Sequence, residues 1–262
     1  MITEPRLGVE VESLAVSAYT IPTDEPESDG TLEWGSTTIV VVEAHGGGET
    51  GLGYTYGPKA VGAVVEELLE DVARGADAGA PAEVWRDLGA RLRNAGRPGM
   101  GFMAVAAVDT ALWDLKARLL DLPLVEALPR AHDEVPIYGS GGFCSYSLER
   151  LRDQLAGWVE DGIPRVKMKI SRDPEADPRR LDAVRDEIGF DVELYADSNG
   201  ALSRKQALAW AESCGAPCED TSRPNEAPRP AACSRPVIPP QRVTSAWRQS
   251  TQPIRFRKSA GT

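Results

Sequence analysis

Between Val135 and Glu212, three apolar runs follow one another, each trailed by a helical stretch, and this repeat limits the fold more than any other feature. "VPIYGS" is strand-like, and "SLERLRDQLAGWVEDG" carries apolar residues at helical spacing. "RVKMKI" is again a strand and "DPEADPRRLDAVRDEIG" a helix; "DVELYAD" and "SRKQALAWAE" complete a third pair. Ser203 and Gln206 fit a capping box at the start of that last helix. Successive βα units need crossover connections and so imply a parallel sheet. Pattern alone leaves a doubly wound sheet and a (β/α)8 barrel both open.

The preceding half has a different grammar. "GVEVESLAVSAYTI" alternates like a strand, "PTDEPESDGTLEW" reads as a polar acidic loop, and "STTIVVVEAH" is apolar. The glycines of "GGGET" at 46–48 predict a hairpin turn, and "GLGYTYG" returns as a third extended segment. From Pro58 the period becomes helical in "AVGAVVEELLEDVA", "APAEVWRDLGARLRNA" and "MGFMAVAAVDTALWDLKARLLDLPL". A three-stranded meander followed by helices predicts an α+β module over residues 1–125.

A chain of 262 residues at 42% hydrophobic can bury a substantial core. No apolar run reaches the roughly 18 residues of a membrane helix, and the first residues lack a basic segment followed by an apolar one. A cytoplasmic protein with no membrane partner is expected. The net charge of −11 argues against nucleic acid and leaves small molecules or proteins as partners. That charge is uneven: residues 214–262 hold eight Lys/Arg against three Asp/Glu, a net +5, leaving −16 for residues 1–213. The same tail holds eight of the twenty prolines and no sustained period, so disorder is expected there. Cys214, Cys218 and Cys233 lie in it without a fourth ligand or a nearby histidine and read as unrelated thiols.

Chemistry is concentrated at two strand ends. In an extended chain Lys167 and Lys169 share one face while Val166, Met168 and Ile170 share the other. "DSN", Asp197 to Asn199, ends the next strand. Taken singly, the lysines fit a solvated strand face and "DSNG" fits a turn before a helix. In βα architectures, however, the carboxyl ends of strands face the site, so adjacent parallel strands would bring these groups together. A carboxylate there can hold a divalent metal, and a lysine beside cations can titrate low enough to act as a base.

"VKMKI" followed about thirty residues later by "LYADSNGALSRKQAL" resembles the second and third barrel strands of the enolase superfamily, in its mandelate racemase and muconate lactonizing enzyme branch. The helix "AVAAVDTALWDLKARLLDLPLVEAL" is similar to that branch's signature helix, with Asp109, Trp113, Asp114 and Lys116 in place. The resemblance covers residues 5–213 and implies a capping domain over a (β/α)7β barrel. It implies 133–213 as the first three βα units of that barrel, with 214–262 a tail. It also implies Mg²⁺ as cofactor, a hydroxy-acid or sugar-acid carboxylate as substrate, and removal of the proton alpha to the carboxylate. Racemisation, cycloisomerisation or loss of water would follow. By the same resemblance Lys169 is the base, Lys167 steadies the enediolate oxygens, Asp197 is the first metal ligand, and Asn199 is a supporting polar group. The acidic stretch at 20–34 corresponds to a mobile specificity loop with "GLGYTY" as a second capping element, and a homo-oligomer is expected.

The chain also departs from that pattern. A full barrel takes about 250 residues, whereas 130 remain from Asp133 onward. The family's second and third metal ligands belong to the fourth and fifth strands; "CED", Cys218 to Asp220, has no apolar strand before it and no proline after it, so Glu219 is not assigned. His45 and His132 both precede the barrel and do not serve as a second base. The switch to Pro, Arg and Ser at Cys214 is what a reading-frame change in a GC-rich gene would produce. Two further expectations therefore stand beside an active enzyme: an inactive truncated product, and an acidic domain carrying a Pro/Arg-rich partner-binding tail.

Overall fold

The computed structural model describes residues 6–128 and 130–215, with side chains to Glu212. Two compact units divide the chain, residues 1–208 and 209–262. In the second, the end of one helix is described: it takes in Cys214 and Gly215, the first two residues of the tail expected to be disordered, and the rest of that expectation lies outside the described residues.

The first unit opens with an antiparallel meander of β1 (Ser13–Ser28), β2 (Glu33–Gly46) and β3 (Glu49–Tyr56) in sequential order. Gly47 and Gly48, at φ 59° and 82°, make the β2–β3 turn, where a left-handed backbone favours glycine. The acidic stretch expected as a loop is instead a continuation of the β1–β2 hairpin. After a bulge between Pro22 and Glu27, pairing resumes at Glu27↔Trp34 and Ser28↔Glu33. Its tip is closed by Asp29, whose Oδ1 accepts from the backbone of Thr31 (2.7 Å) and Leu32 (2.8 Å) and from the Thr31 hydroxyl (2.9 Å).

Helices follow as expected. α1 (Ala60–Val64) passes through a π-helical stretch (Val65–Leu69) into α2 (Glu70–Ala73), and α3 (Pro81–Arg91) and α4 (Met100–Leu119) complete the layer. α4 lies on the inner face of β2 and β3 through Ala104, Ala107, Val108, Ala111, Leu112 and Leu115, all buried. The seam is tight because β3 presents glycine there: a Cβ on Gly53 would lie 2.0 Å from the Ala107 carbonyl oxygen, and one on Gly51 2.1 Å from that of Ala111. Asp114 accepts from the edge-strand amide of Leu52 (2.8 Å) and from Arg118 Nε (2.8 Å), so α4 satisfies a strand donor that no neighbouring strand reaches.

After the short α5 (Leu124–Ala127) comes a parallel sheet, β4 (Gly139–Ser140), β5 (Arg165–Lys169) and β6 (Glu193–Asp197), joined by α6 (Leu148–Glu160) and α7 (Asp177–Ile188). α8 (Arg204–Gly215) follows β6. Strand order equals chain order, so the described strands contain no switch point of the kind a doubly wound sheet has. α6 and α7 pack together, and Leu151, Leu155, Val184 and Ile188 are buried with Val166 and Met168 of β5. The expected strand at 135–140 is reduced to two residues. The register Gly139↔Val166 sets Ile137 opposite Pro164, which has no N–H to give a ladder. The capping box of α8 forms as expected: Ser203 N donates to Gln206 Oε1 (2.9 Å) and Gln206 N to Ser203 Oγ (3.4 Å).

Candidate functional site

β5 shows the alternation its sequence implies. Val166, Met168 and Ile170 are buried beneath the helices, and Lys167 and Lys169 point to the opposite face with 12% of each side chain exposed. Ser171, two residues past the strand, has φ 78°, its amide held by the buried carboxylate of Asp177 at 2.7 Å. Parallel register sets Lys169 beside Asp197 and Lys167 beside Tyr195. β6 then breaks at a left-handed Asn199 (φ 49°) followed by Gly200 (φ 78°). That bend returns the Asn199 amide to Asp197 Oδ1 at 3.0 Å and its side-chain oxygen to Lys169.

The four side chains singled out from sequence lie together. Lys169 Nζ donates to Asp197 Oδ2 at 2.7 Å and to Asn199 Oδ1 at 2.8 Å, and Lys167 Nζ donates to the same Asp197 oxygen at 3.2 Å. Burial would push the Asp197 carboxyl up, but the Lys169 hydrogen bond, the Asn199 amide and Lys167 together hold it down at about 2. Burial pushes Lys169 down, and Asp197 outweighs it, so this amine is held as an ammonium above its ordinary range. Lys167 moves the other way: burial and the neighbouring Lys169 ammonium lower it more than the longer bond to Asp197 raises it. In this arrangement Lys167 is the easier of the two to deprotonate.

A residue the sequence reading passed over also reaches this site. The hairpin tip Ser28–Glu33 descends onto the strand ends: Cys144 N donates to Ser28 O (2.8 Å), Arg172 pairs with Glu33 (2.9 Å), and the Trp34 ring meets Phe143 edge-on at 5.5 Å. Asp29 is buried there, and its charge bears on Lys169. The Asp-Gly pair inside a Pro- and Glu-rich stretch is the signal that could have marked it as a turn rather than a loop.

Mg²⁺ demands near-octahedral oxygen coordination. Asp197 supplies one carboxylate whose Oδ2 already accepts from two ammonium groups and whose Oδ1 accepts from an amide. Among the described residues no group of three or more Asp, Glu, His or Cys side chains could hold a metal. The described residues therefore do not by themselves fit the ion.

Residues 20–128 match the family described as mandelate racemase / muconate lactonizing enzyme, N-terminal domain, and residues 150–247 match that described as enolase C-terminal domain-like. The chain belongs to the enolase superfamily, in its mandelate racemase and muconate lactonizing enzyme family. This superfamily chain is 65% identical to a mandelate racemase/muconate lactonizing enzyme-like protein from Rubrobacter xylanophilus, at TM-score 0.77, over 78% of this chain and 57% of that one. A 3,6-anhydro-alpha-L-galactonate cycloisomerase from Streptomyces coelicolor is 32% identical over 76% of this chain and 59% of its own length. L-talarate/galactarate dehydratase from Salmonella typhimurium, whose structure is liganded with Mg and L-lyxarohydroxamate, is 28% identical at TM-score 0.72, over 79% of this chain and 56% of that one. The chain spans about half the length of the curated relatives it matches. Among the described residues no helix is long and apolar enough to cross a membrane.

Proposed function

We propose that this chain carries the base-bearing part of a site that removes the proton alpha to the carboxylate of a sugar acid or hydroxy acid. The observation that supports it is the convergence of two amines, one carboxylate and one amide at the carboxyl ends of adjacent parallel strands. Sugar acids are the substrate class because the relatives include an anhydrogalactonate cycloisomerase, a talarate/galactarate dehydratase and an arabinonate dehydratase. Magnesium in the related dehydratase structure would supply charge stabilisation of an enediolate when bound. The described residues hold one candidate ligand for it, Asp197.

In this reading Lys169 takes the alpha proton and Lys167, as an ammonium, holds a carboxylate oxygen of the substrate. Both assignments need a change from the resting arrangement, in which Asp197 keeps Lys169 protonated and Lys167 is the easier amine to deprotonate. An incoming carboxylate supplies the missing charge. It raises Lys167 by pairing with it, and Lys169 can then lose its proton once Asp197 turns from it to another partner. Asn199 accepts a hydrogen bond from Lys169 and fixes the direction of its amine.

Exchange of the alpha proton of galactarate with deuterated solvent, followed by NMR with magnesium present, tests the proposal. Detectable exchange is expected from the full chain, lost on Lys169→Met and reduced on the order of a hundredfold on Lys167→Met. No exchange with any of a panel of sugar acids, from protein that is folded, would overturn it.

A further inference from the structure

The β1–β2 hairpin tip docks at two places. A Cβ on Gly30 would lie 2.5 Å from the Ser198 carbonyl oxygen and 2.8 Å from that of Ile170, so the tip rests on the ends of β5 and β6 through bare backbone. Two residues earlier, Ser28 O accepts from the Cys144 amide at 2.8 Å, which ties the tip to the loop between β4 and α6. The same loop is tied to β5 at one of the two lysines, since Lys169 N donates to Gly142 O at 2.8 Å. Arg180, in the first turn of α7 and 8% exposed, reaches this loop from the other side. Its Nη2 donates to Phe143 O at 2.9 Å and its Nη1 to Cys144 O at 3.0 Å. The Phe143 carbonyl and the Cys144 amide belong to one planar trans peptide, in which C=O and N–H point in opposite directions. A grip on that oxygen from α7 therefore aims the amide away from α7, towards Ser28. The second grip, on the next carbonyl, fixes the rotation of the peptide that follows. A planar guanidinium holds both oxygens at once, whereas a lysine ammonium is a single point.

We propose that Arg180 is a positioning residue for the site: by aiming the Cys144 amide it sets where the hairpin tip comes to rest on the strand ends that carry Lys169 and Asp197. It touches no reacting atom, and its effect passes through the 143–144 peptide to Ser28. One turn of α7 then governs both edges of the site, because Asp177, three residues earlier, holds the Ser171 amide at the end of β5. Without the grip the 143–144 peptide is free to rotate, and the tip is released while the sheet beneath it stays folded. The inference rests on the reading of the strand ends as a sugar-acid site, which a seated tip would help to enclose, but its primary test does not require turnover.

The variants are made in the full chain. Arg180→Lys keeps the charge and loses the two-pronged grip, Arg180→Met keeps the apolar stem, and Leu155→Ala weakens the core of the same sheet. Amide hydrogen exchange, read by mass spectrometry, compares the tip at residues 28–34 with β5. Arg180→Lys is expected to raise the tip-to-β5 ratio of exchange rates on the order of tenfold and Arg180→Met further, while Leu155→Ala quickens both segments and leaves the ratio within about twofold. Gly30→Ala lifts the tip from the strand ends by itself, so adding Arg180→Lys to it should change the ratio little further. In the alpha-proton exchange assay Arg180→Lys should raise KM for galactarate on the order of tenfold, with kcat changed by less than about threefold. An unchanged ratio in folded Arg180→Lys overturns the proposal; so does an equal rise in Leu155→Ala, or full additivity with Gly30→Ala. Absence of proton exchange in the unmodified chain strikes the proposed reaction alone and leaves the hairpin measurement to decide the role of Arg180.

Discussion

The antiparallel meander has strands of 16, 14 and 8 residues, whereas those of the parallel sheet are 2, 5 and 5 residues long. The meander is backed by a 20-residue helix and by a core that includes Val40, Val42, Leu69, Leu88, Leu112 and Leu115. The parallel sheet is backed by α6 and α7 and leaves Val135, Phe190 and Tyr195 exposed. Yet the proposed site sits on the smaller sheet. The buried faces of β5 and its helices supply enough packing to aim two lysines, and the larger meander contributes a hairpin tip that reaches over to them. Mass of core and the proposed site are separated in this molecule.

The contrast can be broken at its strongest point. Gly53→Val is expected to cost about 3 kcal/mol or more, because its Cβ would overlap α4 backbone that cannot rotate away. Urea unfolding followed by circular dichroism measures it, and a loss below about 1 kcal/mol would show that the seam yields. Next, Leu155→Ala, in the smaller core, should cost about 2–4 kcal/mol and act locally. Amide exchange should quicken in β4–β6 while β2 keeps its protection, and equal acceleration in both sheets would make them one cooperative unit. Asp197 offers a pH test. Its carboxyl falls from 3.8 unfolded to about 2 folded, so the stability it adds is fully present above about pH 4 and is lost as pH falls towards 2. Asp197→Asn should therefore be less stable near pH 7 and have a shallower decline between pH 4 and 2. An unchanged acid profile would mean that solvent screening at this partly exposed group removes the effect. The smallest change is Gly48→Ala: no atom obstructs its Cβ, so only the left-handed backbone is penalised, at about 1 kcal/mol.

What could be read in advance follows the range of the forces involved. The alternation of "RVKMKI", the glycine turn after β2 and the Ser203–Gln206 box are local, and the structure shows each of them. The clustering of Lys167, Lys169, Asp197 and Asn199 was anticipated because parallel strands put their carboxyl ends side by side. Other features depended on partners distant in sequence. Val135 to Tyr138 look like a strand, but the facing position is Pro164. The stretch around Asp29 looks like a solvated loop, but it is zipped to β2 and seated on backbone some 170 residues away, where nothing in its composition points. The opposite shifts of the two lysines were also out of reach of pattern, since they depend on burial, on the contact between the two amines and on 2.7 Å against 3.2 Å to one oxygen.

The alternate glycines of β3 have a mechanical consequence. With no side chains between them, β3 and α4 touch backbone to backbone at Gly51 and Gly53, and Asp114 pins them a third time at Leu52. A helix of this length is a rod of about 30 Å, so the strand riveted to it cannot tilt as a sheet would over a cushion of leucines. Any travel of the hairpin tip towards or away from the lysines has to be taken up by flexure of the hairpin itself. The bulge between Pro22 and Glu27, where the ladder is interrupted, is its elbow.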